Sequence, residues 1–167
     1  MRATGIVRRI DDLGRIVIPK EIRRSMRITE GDPLEIFLSE DTVCFKKYSV
    51  LKEIKFPVDI ISSLYKTIKM PIIFTDMDSI IGVAGVNKEY CETYLPQKMI
   101  DILRTREQRF ITNVQINDIN LKCVIPIINC GDLLGGIFIV NTDKEITDEI
   151  LTNIKLCVDI IKNYYEN

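Results

Sequence analysis

Histidine and tryptophan are both absent from this 167-residue chain. Without histidine there is no imidazole base, no His-activated nucleophile and no His-ligated metal. No apolar run approaches the roughly 20 residues that a membrane-spanning helix needs. The start, Met1-Arg2-Ala3-Thr4-Gly5, has no signal-peptide hydrophobic core behind it. The five cysteines are odd in number, with no C-x-x-C pair. That pattern argues against a disulfide framework or a zinc ligand set and for a reducing cytoplasm. Cys123 and Cys130 bracket an Ile-rich strand and read as core and turn residues. Nothing identifiable activates Cys91, and Asp76 and Asp78 flank a turn that they need only cap. No enzyme, no cofactor and no metal site is expected.

What is present is a soluble globular composition, 46% hydrophobic and 28% charged. The net charge of −1 conceals a polarised chain. Residues 1–28 carry eight Lys/Arg against three Asp/Glu, and seven of the ten arginines lie in the first 27 positions. Asymmetry of this kind points to a polyanion-binding end.

The N-terminal part reads as β-β-α-β-β. Thr4–Ile10 and Arg15–Ile18 are strand candidates around the turn Asp11-Asp12-Leu13-Gly14. Pro19 suits the first position of a helix running to about Met26, before the breaker Thr29-Glu30-Gly31-Asp32-Pro33. Leu34–Leu38 and Val43–Tyr48 form a hairpin around Ser39-Glu40-Asp41-Thr42. A unit of about 50 residues is marginal alone, so an intertwined or tightly paired dimer is expected. The domains are set at 1–52 and 53–167, with 50–57 as the linker. Beyond it, Ile61, Leu64 and Ile68 keep helical spacing over 55–69. Strand candidates follow at 71–76 and 80–85, then a helix from Pro96 to about Arg106, then strands at 109–116, 121–128 and 133–141, the last two joined at Asn129-Cys130-Gly131-Asp132. A final helix, 147–165, has Thr147 as N-cap, with Asp148 and Glu149 where the dipole favours acids. Its residues Ile150, Ile154, Cys157, Ile161 and Tyr164 keep a 4-3-4-3 spacing, a seam of coiled-coil type. The fold class is α+β.

On a helix over 20–27, Ile22 and Met26 fall together as an inward stripe, and Lys20, Arg23, Arg24 and Arg27 share the opposite side. Arg8, Arg9 and Arg15 bracket the Gly14 turn. A solvated basic face is the ordinary reading of such a helix. Here arginine predominates, whose planar fork suits bidentate phosphate and guanine contacts, few acids accompany it, and dimerisation doubles the patch. Nucleic acid is therefore the expected partner.

The stretches TGIVRRIDDLGRIVIPKEIRR, GDPLEIF and KKY closely resemble the swapped-hairpin DNA-binding domain of the AbrB-like transition-state regulators, almost continuously over residues 3–48. The helix–sheet–helix order and the hairpin CVIPIINCGDLLGGIFIV resemble a GAF domain. The first resemblance implies a dimer in which each chain lends a hairpin to the other, forming a barrel-like β unit. It places the DNA-contacting arginines at Arg8, Arg15, Arg23 and Arg24, with Arg9 a further basic position and Lys20 ranked lower. It further implies double-stranded, A·T-rich promoter DNA read by shape, and transcriptional control of sporulation genes as activator or repressor. GAF domains often hold a small molecule, with Val86–Leu95 and Arg104–Asp118 the candidate lid segments here. The alternative is a domain that only oligomerises, through Ile61, Leu64, Ile68, Ile150, Ile154, Cys157, Ile161 and Tyr164, joining dimers into a tetramer. An antitoxin-like DNA-binding autoregulator is the rival function. Such proteins usually carry a disordered tail, whereas residues 55–165 are apolar and periodic.

Overall fold

A computed structural model describes residues 4–53, 57–111 and 114–164. The chain divides into two compact units, Met1–Tyr48 and Ser49–Asn167.

In the first unit, residues 4–19 form no ladder, and a turn at 11–14 divides them. Helix α1 spans Lys20–Ser25, and strands β1 (Leu34–Ser39) and β2 (Thr42–Lys47) form an antiparallel hairpin. The strands expected at 4–10 and 15–18 are thus not formed within one chain. Among the described residues, the bonds between their ends run through the turn residue Asp11, whose N–H donates to the Arg15 carbonyl at 3.0 Å and whose carboxylate accepts from Arg15. A strand needs a neighbour to satisfy its main-chain groups, and a single protomer supplies none. Most apolar side chains of these segments stay outside as well: Val7 is 82% exposed and Val17 73%, while Ile18 is half-buried.

The second unit begins with α2 (Val50–Glu53), in residues the sequence suggests as linker. Its Leu51 is fully buried, so this stretch is core rather than tether. Helix α3 (Pro57–Ile68) precedes β3 (Ile72–Asp76) and β4 (Ile80–Ala84). A 3-10 turn at Lys88–Tyr90 leads to α4 (Gln97–Arg104). The single strand expected at 109–116 is two short pieces, β5 (Arg109–Phe110) and β6 (Gln115–Ile116), both paired with β7 (Ile119–Asn129); 112–113 lie outside the described residues. Strand β8 (Asp132–Val140) and α5 (Asp148–Asn163) complete the unit. Residues 55–56 and 165 of the expected helices also lie outside the described residues.

The sheet runs β4-β3-β8-β7-β5, antiparallel throughout. Alternation along each strand feeds two apolar layers. Ile72, Phe74, Ile125, Ile127, Ile137 and Ile139 face α3 and α5, and Ile73, Val124, Phe138 and Val140 join the layer of Met99, Ile102 and Leu103 from α4. Cys130 and Gly131 take positive φ (48° and 87°) in the tight β7–β8 turn, while Cys123 lies in the core, where burial pushes its thiol up to about 11. Thr147 caps α5, its Oγ1 accepting the Ile150 N–H at 3.4 Å.

The stripe Ile61, Leu64, Ile68, Ile150, Ile154 and Ile161 is buried against this sheet. These residues are therefore core of their own unit, not the oligomerisation seam that their spacing suggests. A 4-3 repeat marks an apolar side of a helix without specifying its neighbour. Cys157 is half-buried and Tyr164 exposed.

Candidate nucleic-acid interface

Arg8, Arg9, Arg15, Lys20, Arg23, Arg24 and Arg27 all have exposed side chains. Lys20, Arg23 and Arg24 sit on α1 at i, i+3 and i+4 and so share one side of it. Arg27 does not join them on the helix. It takes φ 53°, its N–H bonds the Arg24 carbonyl (3.2 Å), and the Ile28 N–H bonds the Arg23 carbonyl (2.7 Å). This is a Schellman end with arginine in the left-handed position usually held by glycine. Met26, expected inward, is the C-cap and 39% exposed, while Ile22 is half-buried.

Below the helix end a polar network fixes the chain. Lys47 Nζ donates to the Arg27 carbonyl (2.9 Å) and pairs with Asp32 Oδ2 (3.1 Å), and Asp32 accepts from the Thr29 N–H (2.9 Å) and hydroxyl (3.0 Å). Partial burial pushes Asp32 upward, but Thr29 and Lys47 outweigh it and hold the carboxyl below its ordinary value.

The arginines at the other end flank a turn. Gly14 (φ 74°) donates its N–H to the Asp11 carbonyl at 3.0 Å, a type of tight connection that needs a left-handed residue at this place. Asp11 folds back over the turn: Oδ1 accepts from the N–H groups of Leu13 (3.1 Å) and Arg15 (2.7 Å), and Oδ2 from Arg15 Nε (2.8 Å). From the sequence Asp11 reads only as a turn former. The signal that could have shown more is an aspartate four positions before an arginine across a glycine turn. Beside these arginines lies an open groove of about 160 Å³, lined by Ile6, Arg8, Ile16, Ile18, Ile22 and Phe45 among others.

In the second unit a bond from the Tyr90 hydroxyl to Asp118 Oδ1, 2.5 Å, joins the two candidate lid segments. It pushes the phenol up and holds the carboxyl down. Asp76, 3% exposed, caps the β3–β4 turn by accepting from the N–H groups of Asp78 (2.7 Å) and Ser79 (2.6 Å), with Lys52 Nζ 3.2 Å from its other oxygen.

Residues 54–157 match the family described as stage V sporulation protein T C-terminal, transcription factor. Stage V sporulation protein T of Bacillus subtilis (strain 168) is 42% identical over 158 residues, 86% of this chain and 87% of that protein. The chain belongs to the stage V sporulation protein T family. Residues 7–45 also match the family described as antidote-toxin recognition MazE, bacterial antitoxin. The transition state regulatory protein AbrB of the same organism is 52% identical over 48 residues, 29% of this chain and 50% of that one. The cofactor-binding GAF domain of the nutrient sensor CodY from Clostridium difficile superposes with a TM-score of 0.50 at 11% identity, covering 86% of this chain and 92% of that one. At that identity the likeness is one of fold. Family membership thus agrees with the resemblance read from residues 3–48, and the second unit has the GAF-like, α+β architecture expected of it.

Proposed function

We propose that this member of the family is a DNA-binding transcriptional regulator of sporulation genes that acts without catalysis, in the cytoplasm. Its DNA surface consists of Arg8, Arg9, Arg15, Lys20, Arg23, Arg24 and Arg27, presented by an intertwined dimer. The observation that carries this reading is the coincidence of seven exposed cations with strand-like segments most of whose apolar residues, Val7, Ile10, Ile16 and Val17 among them, are exposed in one chain. Pairing each hairpin with a second copy satisfies the main chain, buries Val7, Ile16 and Val17, and brings two arginine sets together. An arginine surface that reads shape and deformability more than base edges favours A·T-rich promoters with loose consensus. The GAF-like unit contributes oligomerisation, and the segments that the Tyr90–Asp118 bond joins are where a small-molecule effector would enter.

An antitoxin-like autoregulator is the second reading, supported by the match over 7–45. Residues 49–167 weigh against it, because they build a folded core where a toxin-binding tail would be needed. The test is a salt series of full-length protein binding to A·T-rich and G·C-rich duplexes. The expected result is steep salt dependence with A·T preference. Weak, salt-independent binding to both duplexes overturns the reading.

A further inference from the structure

The turn between Arg9 and Arg15 contains a carboxylate in a place where a polyanion-binding protein gains nothing from negative charge. Asp11 uses both oxygens inside the turn. Oδ1 serves the main chain at Leu13 and Arg15, and Oδ2 takes the Arg15 Nε at 2.8 Å. The two side chains nevertheless stay open to solvent, 37% exposed for Asp11 and 70% for Arg15. A guanidinium has five N–H donors in a rigid fork. Tying down Nε fixes the plane of the fork and leaves the four terminal N–H groups for a ligand. An arginine without such support pairs with whichever phosphate is nearest, which adds affinity but no selectivity.

We propose that Asp11 is a positioning residue for DNA recognition: it holds Arg15 by Nε so that the terminal nitrogens meet DNA in one orientation, giving up electrostatic affinity in exchange for discrimination between duplexes. The inference rests on the DNA-binding reading above and deepens it. Asp11 repels the phosphate backbone and partly neutralises Arg15, so its charge lowers binding to any sequence. Its gain appears only as a difference between sequences.

The experiment uses full-length protein and the variants Asp11→Asn, Arg15→Ala, Arg15→Lys and the Asp11→Asn/Arg15→Ala pair, each titrated against A·T-rich and G·C-rich duplexes over a salt series. Asp11→Asn keeps an oxygen to accept the two main-chain N–H groups but loses the charge facing Nε. It is expected to bind both duplexes at least as tightly as the parent, to steepen the salt slope by about one, and to reduce the A·T over G·C affinity ratio about fivefold, the low end of what one misread position costs. Arg15→Lys, which keeps the charge and lacks the fork, loses the same discrimination with the turn intact, and so carries the test if the Asn variant folds poorly. In the Arg15→Ala background Asp11→Asn leaves the ratio unchanged. If the parent binds, Arg15→Ala weakens it, and neither Asp11→Asn nor Arg15→Lys alters the ratio, the positioning role is wrong while DNA binding stands. If the parent binds neither duplex in a salt-dependent way, the DNA-binding reading itself fails and takes this inference with it.

Discussion

Leu51 packs directly over Gly135. A Cβ built on that glycine lies 2.8 Å from Leu51 Cδ1 and 2.0 Å from the Thr75 carbonyl oxygen, so the short helix α2 reaches β8 only because the strand has no side chain there. From the opposite face, a Cβ on Gly136 lies 2.5 Å from Leu103 Cδ2 of α4. The glycine pair in DLLGGIFIV thus lets two helices approach one strand from two sides. Gly135→Ala is expected to destabilise the GAF-like unit by about 1–3 kcal/mol through overpacking, and Leu51→Ala by about 2–5 kcal/mol through the cavity it leaves. Denaturant midpoints of the two variants check this. A Leu51→Ala midpoint equal to the parent's returns residues 50–53 to the status of linker.

Arg27 separates stability from binding. Its left-handed backbone costs a non-glycine residue roughly 1–2 kcal/mol. Arg27→Gly is therefore expected to raise the thermal midpoint of the N-terminal unit, since the carbonyl that Lys47 holds is kept. The same change removes a cation from the proposed DNA surface and should reduce the salt slope by about one. A variant that melts lower, or binds with an unchanged slope, removes Arg27 from one role or the other.

These cases show what was legible in the sequence. The Thr147 cap, the Asn129–Asp132 turn and the alternation of β7 and β8 were readable because each is decided by neighbours a few positions away. Arg27 was misplaced because the helical wheel was continued past Met26, and no glycine marked the left-handed position. Leu51 gave little signal, because the short stretch of apolar residues around it is interrupted by Lys52, Glu53 and Lys55 and shows no sustained period. Ile150, Ile154 and Ile161 were correctly read as one apolar side, but spacing cannot distinguish a sheet of the same domain from a second helix of another chain. Thr4–Ile10 and Arg15–Ile18 have a strand's pattern, yet ladder partners are not encoded in a strand's own residues. The exposure of the seven basic side chains was legible from their chemistry. The hold of Asp11 on Arg15 depends on turn geometry and was not.

Acid should loosen the first unit by a definable route. Asp32 lies below its ordinary 3.8 in the folded chain, despite the upward push of partial burial, because Thr29 and Lys47 favour its charged form. The N–H and guanidinium of Arg15 lower Asp11 in the same sense. A carboxylate depressed by folding stabilises the fold above its unfolded value, and that contribution is lost as pH falls through the folded value. Stability of the first unit should therefore fall below about pH 4. Asp32→Asn should be less stable at neutral pH and show a flatter acid limb. Thermal melts from pH 7 to pH 2.5 measure both, and parallel curves for parent and variant remove Asp32 from the acid response.

The correction to the helix seam moves the proposed oligomer contact rather than abolishing it. With Ile150, Ile154 and Ile161 turned to the sheet, the apolar residues left outside are Leu156 (58% exposed) and Ile160 (44%) on α5, and Tyr164 at its C-cap. Leu156 and Ile160 border an open groove of about 380 Å³ between α3 and α5, with Ile60, Leu64 and Cys157 on its walls. If a second copy covers this groove, Leu156→Glu with Ile160→Glu should lower the mass of the assembly in sedimentation while leaving the melting of the GAF-like unit nearly unchanged, because neither residue belongs to the buried core. Ile154→Ala should do the reverse, costing about 2–5 kcal/mol of domain stability without a specific loss of assembly at temperatures where the domain remains folded. Should the double glutamate variant keep the parent's mass, the groove is not the contact, and assembly depends on the hairpins of the first unit alone.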